Sequence, residues 1–101
     1  MGDEIEVRNN PSQLRYELHL DGKPAGMIVY SRQPDAVSLV HTEVEPQLQG
    51  RGLGGRLVAG ALADIRARGL HVDPICPFVR SYIDRHPEYR DLVVTDSELP
   101  D

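Results

Sequence analysis

From Leu14 the chain alternates with period two. Leu14, Tyr16, Leu18 and Leu20 share one face, and Arg15, Glu17 and His19 the other, which is the pattern of a half-buried strand. Asp21-Gly22 predicts a tight hairpin turn, because glycine tolerates the positive φ that short hairpins need. A second strand is expected over Ala25–Tyr30, a turn at Gln33-Pro34-Asp35, and a third strand over Val37–Val44. Loops this short impose antiparallel pairing, since parallel neighbours need a long crossover. A further short strand is expected at Glu4–Arg8.

Beyond Val44 the period changes. Leu53, Leu57, Ala61 and Ile65 recur every fourth position with Val58 and Leu62 beside them, while Arg56, Asp64 and Arg66 face away. That spacing predicts an amphipathic helix ending at Gly69, a residue suited to a left-handed cap. Leu70–Cys76 reads as a strand reached through the helix, and so parallel to Val37–Val44 by a right-handed crossover. Pro77 opens a second helix carrying Phe78, Tyr82 and Ile83, and His86-Pro87 closes it. Tyr89–Thr95 is expected as a last strand and Ser97–Asp101 as a loose acidic tail. The fold class that results is α+β, with a mixed, mostly antiparallel sheet and one helical crossover, in a single domain spanning residues 1–101.

Composition narrows the functions open to such a domain. A chain of 101 residues buries roughly 60–70% of its unfolded surface, enough for one modest core. Eleven basic against sixteen acidic residues leave a net charge of −5. That surface repels phosphate backbones and anionic lipid, so neither nucleic acid nor membrane is expected as a partner. Cys76 is the only cysteine, which excludes an internal disulfide and points to a reducing, cytoplasmic setting. No apolar run approaches the ~18 residues of a membrane span, and Met1-Gly2-Asp3-Glu4 does not begin like a signal peptide. His19, His71 and His86 are too scattered for a metal site, and none is expected.

The richest chemistry lies in the run from Val44 to Leu57, where Gly50, Gly52, Gly54 and Gly55 fall within six positions between a strand and a helix. Missing side chains let a ligand approach the backbone, and a helix N-terminus offers free N–H groups and a favourable dipole to an anion. A diphosphate suits that description, with Arg51 and Arg56 adding charge nearby. Gly50, Gly52 and Gly55 also spell G-x-G-x-x-G, with Asp73 eighteen residues on. A dinucleotide fold, however, opens with a parallel βαβ unit rather than a meander, and needs a longer chain. No Gly-Lys-Ser/Thr follows, so a Walker loop is excluded.

Gln49-x-x-Gly52-x-Gly54, preceded by Val44-x-Pro46 and followed by Leu53 and Leu57, resembles the acyl-CoA loop of the GNAT N-acetyltransferase superfamily. His41-Thr42-Glu43-Val44, Cys76-Pro77-Phe78-Val79, Tyr82-Ile83 and His86-Pro87-Glu88-Tyr89 extend the likeness over residues 13–93 and are similar to the small YjdJ-like branch. The resemblance implies that the strands Val37–Val44 and Leu70–Cys76 splay apart and admit the pantetheine arm of acetyl-CoA. It implies cofactor contacts from Val44, Gln49, Gly50, Arg51, Gly52, Leu53, Gly54, Gly55 and Arg56. One departure is visible: larger members place two helices between their first strands, where this chain has only the turn between Leu20 and Ala25.

Acetyl transfer to an amine requires a base, a donor for the oxyanion and a proton for the leaving thiolate. A lysine-like amine near pKa 10.4 is protonated at neutral pH, an obstacle of roughly 4–5 kcal/mol that a general base lowers. Glu43, near the end of the strand feeding the loop, is the first candidate base, against the reading of an exposed strand carboxylate. His41, two residues earlier on the same face, is the second, because imidazoles titrate near neutrality; the competing reading is a hydrogen-bonded sheet histidine. A backbone N–H around Val44 would meet the oxyanion. Tyr82, which the resemblance supports on this helix, would protonate the thiolate or else pack in the core. Cys76 reads either as a nucleophile, open to a mixed disulfide with coenzyme A, or as a buried small hydrophobe. An N-acetyltransferase with an unidentified amine acceptor is the expectation, its oligomeric state left open with a monomer plausible; a non-catalytic acyl-CoA-binding module or a small interaction domain are the alternatives.

Overall fold

The computed structural model describes residues 4–94. Five strands form one sheet in sequence order: β1 (Ile5–Asn10), β2 (Arg15–Leu20), β3 (Lys23–Arg32), β4 (Ala36–Val44) and β5 (His71–Pro74). The first four pair antiparallel and β5 lies parallel to β4. Helix α1 (Leu53–Ala67) makes the crossover, and α2 (Pro77–Arg85) follows β5. The meander, the crossover and the mixed sheet are as the alternation and the change of period require.

Leu57, Val58, Ala61, Leu62 and Ile65 of α1 are fully buried in one core with Leu18, Ile28, Leu39 and Val72 of the sheet and Val79 of α2. Both helices therefore cover the same sheet face. Arg15, Glu17, Met27 and Glu43 alternate with these core positions and point to the opposite face. Tyr16 ties sheet to helix, its phenol donating to the Asp64 carboxylate at 2.7 Å. The helix approaches β1 closely at Gly60, where a Cβ would stand 2.7 Å from the Val7 Cβ.

Two expectations are corrected. Leu14 does not share the buried face of Tyr16 and Leu18: it is exposed, precedes β2 and has φ 55°, because the Pro11–Leu14 turn must finish before pairing begins. The described part of the expected strand Tyr89–Thr95, through Val94, is not a strand. Pro87–Leu92 is a 3-10 helix with Pro87 in its first turn, fastened to α1 by Arg66, which donates to both Asp91 carboxylate oxygens at 2.8 and 2.9 Å and to the Glu88 carbonyl. Only a single bridge, Val72 to Val93, continues toward the sheet. Thr95 and the acidic tail lie outside the described residues. No helix among those residues is long and apolar enough to cross a membrane.

Candidate functional site

Strand β4 is paired with β5 along less than half its length. Ala36–Leu39 match His71–Pro74, and the Cys76 N–H donates to the Leu39 carbonyl at 2.8 Å. Past this point the chain turns into α2 while β4 runs on to Val44, so the two part. Val40 is the extra residue where β4 shifts register against β3, between Leu39 opposite Tyr30 and His41 opposite Val29. The shift directs Thr42 to the helix side of the sheet and His41 and Glu43 to the other side.

A cavity of about 390 Å³ fills this opening. Thr42 and Val44 form its strand wall, Gln49, Gly50, Gly52, Gly54 and Gly55 its floor, and Leu48, Leu53 and Phe78 its apolar borders. A 3-10 turn at Pro46–Leu48 leads into the loop, and the Gln49 side chain donates to the Val44 carbonyl at 3.2 Å, fixing the loop to the end of β4. Gly52 is the N-cap of α1, left-handed at φ 76° and without a side-chain cap. The first i→i−4 bond of the helix runs from Arg56 N–H to the Gly52 carbonyl at 3.2 Å. The N–H groups of Leu53, Gly54 and Gly55 therefore have no intrahelical acceptor and lie beside the cavity. The arrangement fits an anionic ligand with a narrow body: donors and dipole converge where no Cβ intrudes, and a Cβ on Gly54 would stand 2.8 Å from the Phe78 ring.

Of the residues singled out from sequence, Val44, Gln49, Gly50, Gly52, Leu53, Gly54 and Gly55 line this cavity. Arg51 and Arg56 are exposed beside it and are not part of its wall. His41 and Glu43 are brought together, imidazole Nε2 and carboxylate 2.9 Å apart, both more than half exposed. They stand on the far face of β4. Glu43 lines a second cavity of about 180 Å³ with Val44, which thus borders both.

Tyr82 and Cys76 are not on the cavity wall. Tyr82 lies against Gly55 on the helix flank and stacks on His86 at 4.1 Å; burial, with Tyr89 and Glu88 nearby, holds its phenol above the usual tyrosine range. Cys76 is buried, its Sγ 3.4 Å from Thr42 Oγ1. Burial pushes its thiol up, but the Thr42 hydroxyl and the nearby Val79 and Phe78 N–H groups outweigh this and lower it overall. Thr42 and Phe78 belong to the cavity although neither was a candidate site residue. The alternation of β4 places Thr42 beside Val44, and Phe78 follows Pro77 on the first turn of α2. Only the bulge at Val40 decides which of His41 and Thr42 faces the opening.

Residues 15–92 match the sequence profile of the GCN5-related N-acetyl-transferases. The chain belongs to this family. The fold of this GCN5-related domain is that of other solved members. It superposes on a GCN5-like putative N-acetyltransferase from Staphylococcus aureus with TM-score 0.66 at 21% identity, over 93% of this chain and 91% of that one. The ribosomal-protein-S18-alanine N-acetyltransferase of Escherichia coli matches at 26% identity and TM-score 0.55, over 63% of this chain. This chain spans 43% of the length of that enzyme. A ribosomal-protein-alanine N-acetyltransferase from Brucella melitensis matches at 17% identity and TM-score 0.57, over 80% of this chain and 61% of that one. No curated protein matches at a significant level of sequence similarity.

Proposed function

We propose that the domain binds acetyl-CoA in the glycine-loop cavity and transfers the acetyl group to a primary amine by direct attack assisted by a general base. The observation that carries this is the left-handed Gly52 cap, which opens α1 with its first-turn N–H groups unpaired beside a cavity bordered by β4. Those groups suit the diphosphate, and the exposed Arg51 and Arg56 suit a ribose phosphate. When bound, the thioester supplies an activated acetyl carbon. A backbone N–H near Val44 meets the oxyanion.

Glu43 is the base in this reading and His41, hydrogen bonded to it, its partner or substitute. Glu43 lines the second cavity, so an amine and the thioester would approach Val44 from opposite sides of β4. Cys76 sits behind Thr42 and would need that side chain to rotate before meeting the thioester. Direct attack is favoured over an acetyl-cysteine intermediate for that reason. Tyr82 would have to leave its stack on His86 to protonate the departing thiolate.

Thiol release from acetyl-CoA with a panel of primary amines tests the reaction. Glu43→Gln is expected to lower kcat roughly 10²–10⁴-fold, with calorimetric affinity for acetyl-CoA retained. Full activity in both Glu43→Gln and His41→Ala would remove the assigned base. A second reading, a non-catalytic acyl-CoA-binding module, draws on the tight turn at Asp21–Gly22, which builds no acceptor wall on that side. Tight binding without transfer to any amine would select it. Failure of coenzyme A and its acetyl ester to bind at millimolar concentration would sink both.

A further inference from the structure

The second cavity lies on the helix-free face of the sheet, and its surroundings are chemically one-sided. Pro24, Met27 and Pro46 give it apolar walls, while Glu17, Glu43 and Glu45 face a single guanidinium, Arg15. That guanidinium is already engaged: its Nε donates to Glu17 at 2.7 Å and one terminal nitrogen lies 3.8 Å from the Met27 sulfur. Glu17 in turn takes bonds from Asn10 at 3.0 Å and His19 at 3.1 Å. One carboxylate and one guanidinium cancel, leaving Glu43 and Glu45. Glu43 has only the imidazole of His41 beside it. The Glu45 carboxylate forms no hydrogen bond or ion pair with a described residue. Lys23 stands beyond Pro24, in a neighbouring cavity that it lines with Asp21 and with Glu45 itself.

We infer that this cavity is the acceptor site and that it selects aliphatic primary amines carrying a second cationic group along the chain, the diamines and polyamines. The inference rests on the reading of Glu43 as base and deepens it. Three observations converge. The cavity shares Val44 with the glycine-loop cavity, so the two adjoin across the end of β4. Its apolar walls suit a methylene chain. Two residues of near-extended backbone, about 6–7 Å, separate Glu43 from Glu45, so a nitrogen losing its proton at Glu43 leaves a distal ammonium near Glu45. An acidic or zwitterionic acceptor would bring a carboxylate toward Glu43 and Glu45, with the only guanidinium of the cavity engaged.

Met27 borders the cavity, and its methyl resonance reports occupancy without turnover. The full chain, methyl-labelled at methionine, is titrated with 1,4-diaminobutane, with 1-aminobutane and with a lysine-rich peptide. The diamine is expected to shift Met27 saturably and to bind more tightly than the monoamine, with the difference shrinking as salt is added. Glu45→Gln is expected to weaken the diamine about threefold to fivefold, the range of an exposed ion pair, leave the monoamine unchanged and leave calorimetric acetyl-CoA affinity intact. Equal affinities for diamine and monoamine, an unchanged diamine affinity in Glu45→Gln, or a Met27 shift produced by the peptide alone would overturn the inference. Loss of acetyl-CoA binding with the diamine still shifting Met27 would instead remove the proposed cosubstrate and leave the cation site standing.

Discussion

Thr42 Oγ1 and Cys76 Sγ lie 3.4 Å apart where β4 and β5 diverge. Cys76 thus stands behind the strand wall of the glycine-loop cavity. Thr42 presents itself to the cavity and its hydroxyl to the thiol, while Cys76, N-cap of α2, lies beside the first N–H groups of the helix it starts. A thiolate is the better partner for all of these donors, which is why burial fails to raise this thiol.

Replacing Thr42 by Val removes the hydroxyl and keeps the shape. The thiolate then loses one donor of about 1 kcal/mol, and its pKa is expected to rise. Thiolate absorbance followed against pH checks this, and Thr42→Ser should restore the original midpoint. An unmoved midpoint in Thr42→Val would mean that the helix N–H groups alone set it.

Gly52 and Gly54 should fail in different ways when each is changed to Ala. At Gly52 a Cβ meets nothing within 4 Å, but φ is 76°, and a left-handed L-residue costs roughly 1–2 kcal/mol. The cost is expected in thermal stability, with acetyl-CoA affinity reduced only as far as the loop relaxes. At Gly54 the backbone is ordinary, and alanine favours a helix, yet its Cβ would stand 2.8 Å from the Phe78 ring. Phe78 is half exposed and can swing, so stability should hold. The cavity narrows, and calorimetry should show the larger loss of acetyl-CoA affinity. Equal affinity losses in the two variants would contradict this division.

The meander was legible because period-two alternation, Asp21-Gly22 and Gln33-Pro34-Asp35 all favour the same hairpins. Helix α1 was legible for a similar reason: its apolar stripe, its glycine-rich start and Gly69 agree. What escaped the sequence were features set by contacts distant along the chain. A strand was expected from Tyr89 onward, but Arg66, some 25 residues away, holds Glu88 and Asp91 in a 3-10 turn. The facing of β4 residues turned on the bulge at Val40, which no local composition announces. Thr42 was overlooked between two titratable neighbours, yet it is the one of the three that faces the cavity.

Gly60→Ala sets helix propensity against packing. Alanine should gain up to about 1 kcal/mol in a helix interior. Its Cβ, however, would lie 2.7 Å from the Cβ of Val7, the stiff root of a branched side chain. Overpacking of this kind costs roughly 1–3 kcal/mol, so net destabilisation is expected by chemical denaturation. Val7→Ala alone should be mildly destabilising, and combined with Gly60→Ala it should recover stability relative to Gly60→Ala. A fully additive pair would show that α1 and β1 do not meet there.

Glu17 gives a prediction for acid stability. Bonds from His19, Asn10 and Arg15 hold its carboxyl far below the usual carboxylate range, at about 2 against 4.5. A depressed native pKa stabilises the fold wherever the unfolded carboxyl is ionised, so the contribution is complete above about pH 4.5 and is lost as pH falls toward 2. Glu17 is largely shielded on the sheet face, yet solvent reaches its partners, so the contribution is of the order of 1–2 kcal/mol rather than the full linkage value. Glu17→Gln should cost about that much at neutral pH, and its stability should change less than the parent's between pH 4.5 and 2. Parallel stability curves for the two proteins across that window would show that the three donors do not hold Glu17 in its charged form.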